Sequence, residues 1–231
     1  MRWQAVLFDL DGTLLDIAMS DFVPHYFRAL TEWAVAHGAT ADEVMAKLHA
    51  ATQAMMRNQG PATNAQVFAQ HFFPLAGRDA AYWRAVFQDF YTQAFPRLRV
   101  LARPRPRARE VVEAALARGY PVALATNPLF PEAAVRQRMA WARVADLPFA
   151  LVTTYEHCYA SKPAPAYYQN VCARLGVDPA ECLMIGDEPM DLAASQVGMR
   201  TYWVHDSTAT APPGPWMPTW QGPLDGVLAV L

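Results

Sequence analysis

Cysteine, lysine and net charge are all scarce in this chain, and each shortage removes a class of protein. Three cysteines, Cys158, Cys172 and Cys182, are an odd number with no CxxC pair in 231 residues. That leaves neither a disulfide framework nor a cysteine-rich zinc site, and it points to a reducing compartment. Lys plus Arg number 19 against 21 Asp plus Glu, a formal charge of −2, so no global positive field exists to grip nucleic acid or an anionic lipid surface. No stretch reaches the roughly 18 consecutive apolar residues of a membrane span. Asp9 and Asp11 also interrupt the N-terminus where a signal peptide would keep its apolar segment. The expectation is a soluble cytoplasmic protein with no nucleic-acid or membrane partner. Apolar residues, by contrast, are plentiful: 53% hydrophobic against 17% charged supports a sizeable core and excludes disorder.

Short apolar runs rich in Val, Leu, Ile and Ala predict buried strands at residues 5–8, 122–125, 150–152, 183–185 and 201–204. Helical spacing lies between them at 131–144 and 164–175, the second run ending at Gly176. Alternation of strand and helix implies an α/β fold with a doubly wound, Rossmann-like parallel sheet. Residues 16–99 break that pattern, with helical runs at 22–37, 42–58, 64–73 and 79–95 and no convincing strand. The expected organisation is therefore an α/β core of residues 1–15 and 100–231, with residues 16–99 as an inserted all-helical domain.

Two segments stay open. Residues 97–109 carry six arginines and two prolines, which suits a solvated return linker or an anion-binding patch. Residues 209–223 hold five prolines with Trp216 and Trp220 between them. They read as a loop packing its tryptophans on its own domain, or as a polyproline II docking segment.

Chemistry concentrates where apolar strands run into polar residues: Asp9 after VLF, Thr126 and Asn127 after VALA, Asp187 after LMIG. In an open parallel sheet these C-terminal strand ends share one edge, where ligands bind. Asp9 and Asp11 are two apart and project to one side of an extended chain, and Gly12 then permits a sharp bend. Two carboxylates about 4 Å apart repel by roughly 4 kcal/mol at an effective dielectric near 20. Such a pair needs a cation, a shared proton or solvent between its members. Asp187 and Asp191 add to the charge, and a hard cation such as Mg²⁺, which takes oxygen ligands and a substrate phosphate oxygen, suits the four acids. Alternatively, Asp187 simply caps a helix whose first turn holds Pro189. Lys162 is one of only two lysines; it is either a charge for a phosphate or a solvated side chain. Thr126 and Asn127 are donors to a phosphoryl oxygen or, before Pro128, turn formers.

DLDGT at Asp9–Thr13, TN at Thr126 and Asn127, KP at Lys162 and Pro163, and GDEPMD at Gly186–Asp191 together resemble, in order, the four motifs of the haloacid dehalogenase-like hydrolase superfamily. The similarity continues through GMRTYWV at 198–204, and residues 16–99 resemble the family's helical cap. The resemblance implies an aspartyl-phosphate enzyme dependent on Mg²⁺. Asp9 would be the nucleophile, and Asp11 the acid towards the leaving alcohol and then the base for water. Asp9, the backbone carbonyl of Asp11, and Asp187 would hold the metal. Thr126, Asn127 and Lys162 would hold the phosphoryl group, and Asp191 would orient Lys162 or metal-bound water. Asp11 points to a phosphatase, because the family's dehalogenases lack that second aspartate. Ala164, where relatives often carry Asp, implies a lost local cap, and Pro189 an altered helix start.

The expected substrate is a small phosphorylated metabolite. A phosphomutase acting on a sugar phosphate, or a non-catalytic binding protein on the same fold, are the rival readings. Arg28, Lys47, His49, Arg57 and His71 are the candidate specificity residues of the insert, each equally a solvated helix residue. Met55, Met56 and the aromatics of 82–91 suit the insert's core or a pocket lining.

Overall fold

The structure, a computed structural model, describes residues 2–206 and 214–231. Strand β1 (Ala5–Phe8) leads through the short β2 (Leu15–Asp16) into four helices: α1 (Met19–Ala36), α2 (Ala41–Arg57), α3 (Asn64–Phe72) and α4 (Ala80–Gln93). A 3-10 segment, Phe95–Leu101, returns the chain to β3 (Arg103–Pro104), which pairs antiparallel with β2. The exit and re-entry of the helical insert are thus tied side by side. Alternation follows: α5 (Ala108–Ala117), β4 (Val122–Leu124), α6 (Glu132–Trp141), β5 (Leu151–Val152), α7 (Pro165–Leu175), β6 (Cys182–Gly186), α8 (Pro189–Leu192), β7 (Arg200–Val204) and β8 (Trp220–Gly222).

Six strands form one sheet in the order β5-β4-β1-β6-β7-β8, every pairing parallel. This is the Rossmann-like α/β core expected from the alternation. Strand periodicity divides its two faces. Val6, Phe8, Val122, Leu124, Leu183 and Ile185 point into one hydrophobic cluster, and Ala5, Leu7, Ala123, Cys182 and Met184 into another. Each fully buried Val, Leu, Ile or Phe contributes roughly 1.5–3 kcal/mol, and covering both faces with helices is what lets strands be apolar at every position. The pairs β2–β3 and the edge strand β8 escaped the sequence reading because two or three residues carry no measurable period.

Local chemistry sets the helix limits of the insert. Thr40 caps α2 through Glu43 N, Thr63 and Gln66 form a reciprocal capping box on α3, and Asp79 caps α4 through Tyr82 N. The insert is bound to the core by aromatic rings. Phe22 and Tyr26 of α1 meet Phe130, with centroids 6.2 and 5.1 Å away, and Phe95 stacks on Trp141 of α6 at 5.4 Å. Trp83, Phe87 and Phe90 are buried in the same cluster, so the aromatics of 82–91 serve mainly as core. Met56 is exposed, while Met55 is buried.

Among the described residues, three of the six arginines of the return segment are ion-paired, the first being Arg105 with Asp206. Arg107 pairs with Glu110 and Asp225, and Arg109 with Glu113 and Asp146. Near the C-terminus, Trp220 meets Trp3 edge-on at 6.0 Å and Trp216 packs on the second cluster. Both tryptophans are spent on the protein's own core, although Pro212 and Pro213 lie outside the described residues. Among the described residues no helix is long and apolar enough to cross a membrane. Cys158, Cys172 and Cys182 are free thiols, with Cys172 and Cys182 at 3.9 Å between sulfurs.

Candidate active site

Strands β4, β1 and β6 are adjacent at the centre of the sheet, so the residues that follow them share its C-terminal edge. Asp9 directly follows β1, and its backbone N–H still donates to Ile185 O of β6 at 2.9 Å. Its Oδ1 accepts from Lys162 Nζ at 2.8 Å. Lys162 is 3% exposed and also donates to Asp191 Oδ1. A buried ammonium thus bridges two carboxylates drawn from opposite ends of the chain. Burial alone would lower the Lys162 pKa, but Asp191 and Asp9 outweigh it and hold the group charged.

Asp187 follows β6 and accepts from Thr13 Oγ1 at 3.0 Å. Burial first, then the charges of Asp9 and Asp191, push its carboxyl up to about 8. Burial likewise lifts Asp191 to about 7, opposed by Lys162. Asp9, Asp187 and Asp191 each offer a carboxylate oxygen within 4.8 Å of the others, an acidic group able to hold a metal ion. The helix start differs from simple capping by Asp187. Glu188 is the N-cap of α8, Pro189 its first residue, and Asp191 accepts from Glu188 N at 3.0 Å. That reciprocal box frees Asp187 for Thr13 and aims Asp191 at Lys162. Ala164 begins α7 without any side-chain cap, as its departure from the family pattern implied.

Two glycines make the close approach possible. Gly12 has φ +85°, and a Cβ there would overlap the Asp187 carboxylate; a Cβ on Gly186 would overlap Asp191.

Asp11 does not join the acidic group through its carboxylate. Its Oδ2 is paired with Nη1 of Arg138, a fully buried residue of α6. The Arg138 guanidinium lies 4.2 Å from the Phe130 ring centroid. Burial raises the Asp11 carboxyl above its usual range, with Arg138 working against it. Sequence reasoning missed Arg138, because α6 also carries Arg136, two positions away, exposed and paired with Glu132. Helical spacing was the signal available: Arg138 falls three and four positions after the buried Val135 and Ala134, on the face opposite Arg136.

Thr126 and Asn127 sit beyond β4. Asn127 Nδ2 approaches Met190 Sδ at 3.6 Å, while its buried Oδ1 has no hydrogen-bond partner among the described residues. Thr126 is 2% exposed, and its carbonyl is fixed by Thr153 and Tyr167 hydroxyls at 2.7 and 2.9 Å. A cavity of about 240 Å³ opens onto Asp9, Asp11, Thr126, Asn127 and Asp191, roofed by α1, α2 and α3. None of Arg28, Lys47, His49, Arg57 and His71 lines it. Arg28 and His49 border a separate groove between α1 and α2, and His71 is turned to its own backbone at Val67 O. Met55 does line the cavity, together with Val23, Phe27 and Leu48.

A buried lysine thus bridges two aspartates beside an acidic group at the C-terminal edge of the parallel sheet. The chain belongs to the haloacid dehalogenase-like hydrolases, whose family pattern matches residues 3–197, and within them it is of the phosphatase class. It is 29% identical over 204 residues to N-acetylmuramic acid 6-phosphate phosphatase of Pseudomonas aeruginosa, covering 87% of this chain and 81% of that protein. Hexitol phosphatase A of Escherichia coli is 30% identical over 191 residues, 82% of this chain and 76% of that one. The fold is similar to that of a HAD phosphatase from Thermococcus onnurineus, with TM-score 0.61 and 20% identity over 100% of this chain and 97% of the other.

Proposed function

We propose that the protein is an Mg²⁺-dependent phosphomonoesterase that works through an aspartyl-phosphate on Asp9, with residues 16–99 acting as a cap over the site. The observation that carries this reading is the Lys162 bridge: it holds Asp9 Oδ1 at 2.8 Å and keeps Asp9 at the wall of the cavity. In the first step an Asp9 oxygen bonds to phosphorus as the ester P–O bond breaks, and Asp11 gives its proton to the leaving alkoxide. In the second, water attacks phosphorus, Asp11 takes the water's proton, and the bond to Asp9 breaks. Thr126 and Asn127 donate hydrogen bonds to phosphoryl oxygens without adding charge, and Lys162 offsets charge on nucleophile and phosphate.

The donor set fits a hard divalent ion, since the carboxylates of Asp9, Asp187 and Asp191 converge while Lys162 donates to Asp9 and Asp191. Asp9, Asp187 and the Asp11 carbonyl would hold Mg²⁺, with Asp191 beside it, and the ion would supply Lewis-acid stabilisation of the phosphoryl charge. Cytoplasmic location and a small soluble phosphate ester as substrate belong to the same reading.

The test is phosphate release from a simple phosphate ester. Asp9→Asn should abolish it and excess EDTA should suppress it; substantial turnover in either case rejects the reading. Free phosphate as product, rather than an isomerised sugar phosphate, separates a phosphatase from a mutase.

A further inference from the structure

The cavity over Asp9 has two unlike halves. Its floor is the polar strand edge, and its roof comes from α1, α2 and α3. The roof is built from Met19, Val23, Phe27, Leu48, Met55 and Phe68, with Phe130 at the side. Among the described residues, two side chains of the roof carry a hydroxyl, Tyr26 and Thr52, and that of Tyr26 is committed to Tyr91 OH at 2.7 Å. Among the described residues, the charged groups lining the cavity are Asp9, Asp11, Glu188 and Asp191, all carboxylates.

We infer that the ester this site takes carries a small, uncharged and mainly apolar alcohol. This rests on the phosphatase reading, because only a phosphoryl group seated on the floor sends the leaving group into the roof. A leaving group bearing a carboxylate would meet no arginine, lysine or histidine there and would face Glu188. A polyol would bury several hydroxyls against a roof whose own hydroxyls, among the described residues, are that of Thr52 and that of Tyr26 already bonded to Tyr91, and polar groups left unpaired in an apolar pocket are strongly selected against. A quaternary ammonium would need open aromatic faces. Phe130 already holds the Arg138 guanidinium at 4.2 Å, Tyr26 is packed among Phe22, Phe90, Phe95 and Phe130, Phe68 stacks on Phe72 at 4.9 Å, and Phe27 meets Tyr26 and His49 at 5.7 and 5.6 Å. An alkyl or benzyl group instead replaces water against Val23, Leu48 and Met55, and a cavity of about 240 Å³ keeps it short.

The experiment measures kcat/KM for phosphate release by the full chain with Mg²⁺, using unactivated primary esters so that leaving-group chemistry stays comparable. Hexyl and benzyl phosphate should exceed 2-phosphoglycolate, sorbitol 6-phosphate and phosphocholine by about 10- to 100-fold. Equal or better turnover of any of the last three overturns the inference while leaving the phosphatase reading intact. Hydrolysis of none of the five overturns the phosphatase reading and this inference with it. Thr52→Arg, a half-buried position on the roof, puts a cation where none stands and should narrow the preference for benzyl phosphate over 2-phosphoglycolate by about tenfold. An unchanged ratio in a folded variant would remove the roof as the leaving-group subsite.

Discussion

Arg138 and Asp11 form an ion pair with side-chain exposures of 0% and 9%, 127 residues apart in the chain. Among the described residues Arg138 Nη2 and Asp11 Oδ1 have no hydrogen-bond partner, so one ion contact joins the two, with Arg138 steadied by its Nε donating to Ala134 O at 3.5 Å and by the Phe130 ring. In a site with several neighbouring carboxylates, this directs the proposed acid–base group away from the acidic cluster and towards α6.

Removing the guanidinium should therefore act through Asp11. Arg138→Met leaves a buried carboxylate unpaired, a change that typically costs about 3–5 kcal/mol of stability. Arg138→Lys keeps the charge and should fold better. In the Lys variant we expect kcat to fall by about 10- to 100-fold on an alkyl phosphate, and far less on an aryl phosphate whose leaving group needs little protonation. Equal losses on both esters would mean that Arg138 serves packing alone.

Metal binding should be visible in stability. Mg²⁺ at about 100 times its Kd adds roughly 2.7 kcal/mol, a Tm rise of about 5–10 °C for a chain of this size. Burial and neighbouring carboxylates push Asp187 and Asp191 up to about 8 and about 7 from 3.8 in the fold. Groups raised in the folded state stabilise it below their unfolded pKa, and that contribution is lost as pH climbs through the folded values. The ion competes with those protons, so its stabilising effect should be larger near pH 8 than near pH 6. Thermal melts with and without Mg²⁺ at the two pH values check this, and an equal or reversed difference would contradict it.

Gly186→Ala drives a methyl group into Asp191. Overpacking of this kind costs about 1–3 kcal/mol, and the displaced Asp191 would release Lys162 from its bridge. We expect lower kcat and a lower melting temperature together. Gly12→Ala should be worse, because it adds a left-handed backbone, φ +85°, to the overlap with Asp187. Activity assays and melts on both variants decide it.

Asn64 ties the insert to the catalytic loops. Buried at the start of α3, it donates to Pro128 O at 2.9 Å and Ser161 Oγ at 3.2 Å, and accepts from Asn58 at 2.8 Å. These two loops carry Asn127 and Lys162. Asn64→Ala strands buried partners at a cost of about 1–3 kcal/mol, a Tm loss of roughly 2–12 °C. We also expect a raised KM, measured on whichever ester the wild-type protein prefers.

Five of the sheet's six strands, the four helices between β2 and β3 and the acids at the strand ends were all legible from the chain alone. Apolar runs bounded by glycine, proline and caps are local signals, and a parallel sheet gathers its strand ends at one edge whatever the details. Asp9, Thr126, Asn127 and Asp187 were singled out that way, Lys162 by the rarity of lysine and Asp191 by its spacing from Asp187, and the structure brings Asp9, Lys162, Asp187 and Asp191 together. Arg138 was not singled out: Arg136 and Arg138 share one helix and one chemistry, yet one pairs with Glu132 in solvent and the other is sealed under Phe130. The apolar roof was equally hidden, since Met55 facing a cavity and Met55 facing a core have the same helical period. Periodicity says which side of an element is buried. What that side is buried against depends on contacts between distant segments, and only the tertiary structure decides those.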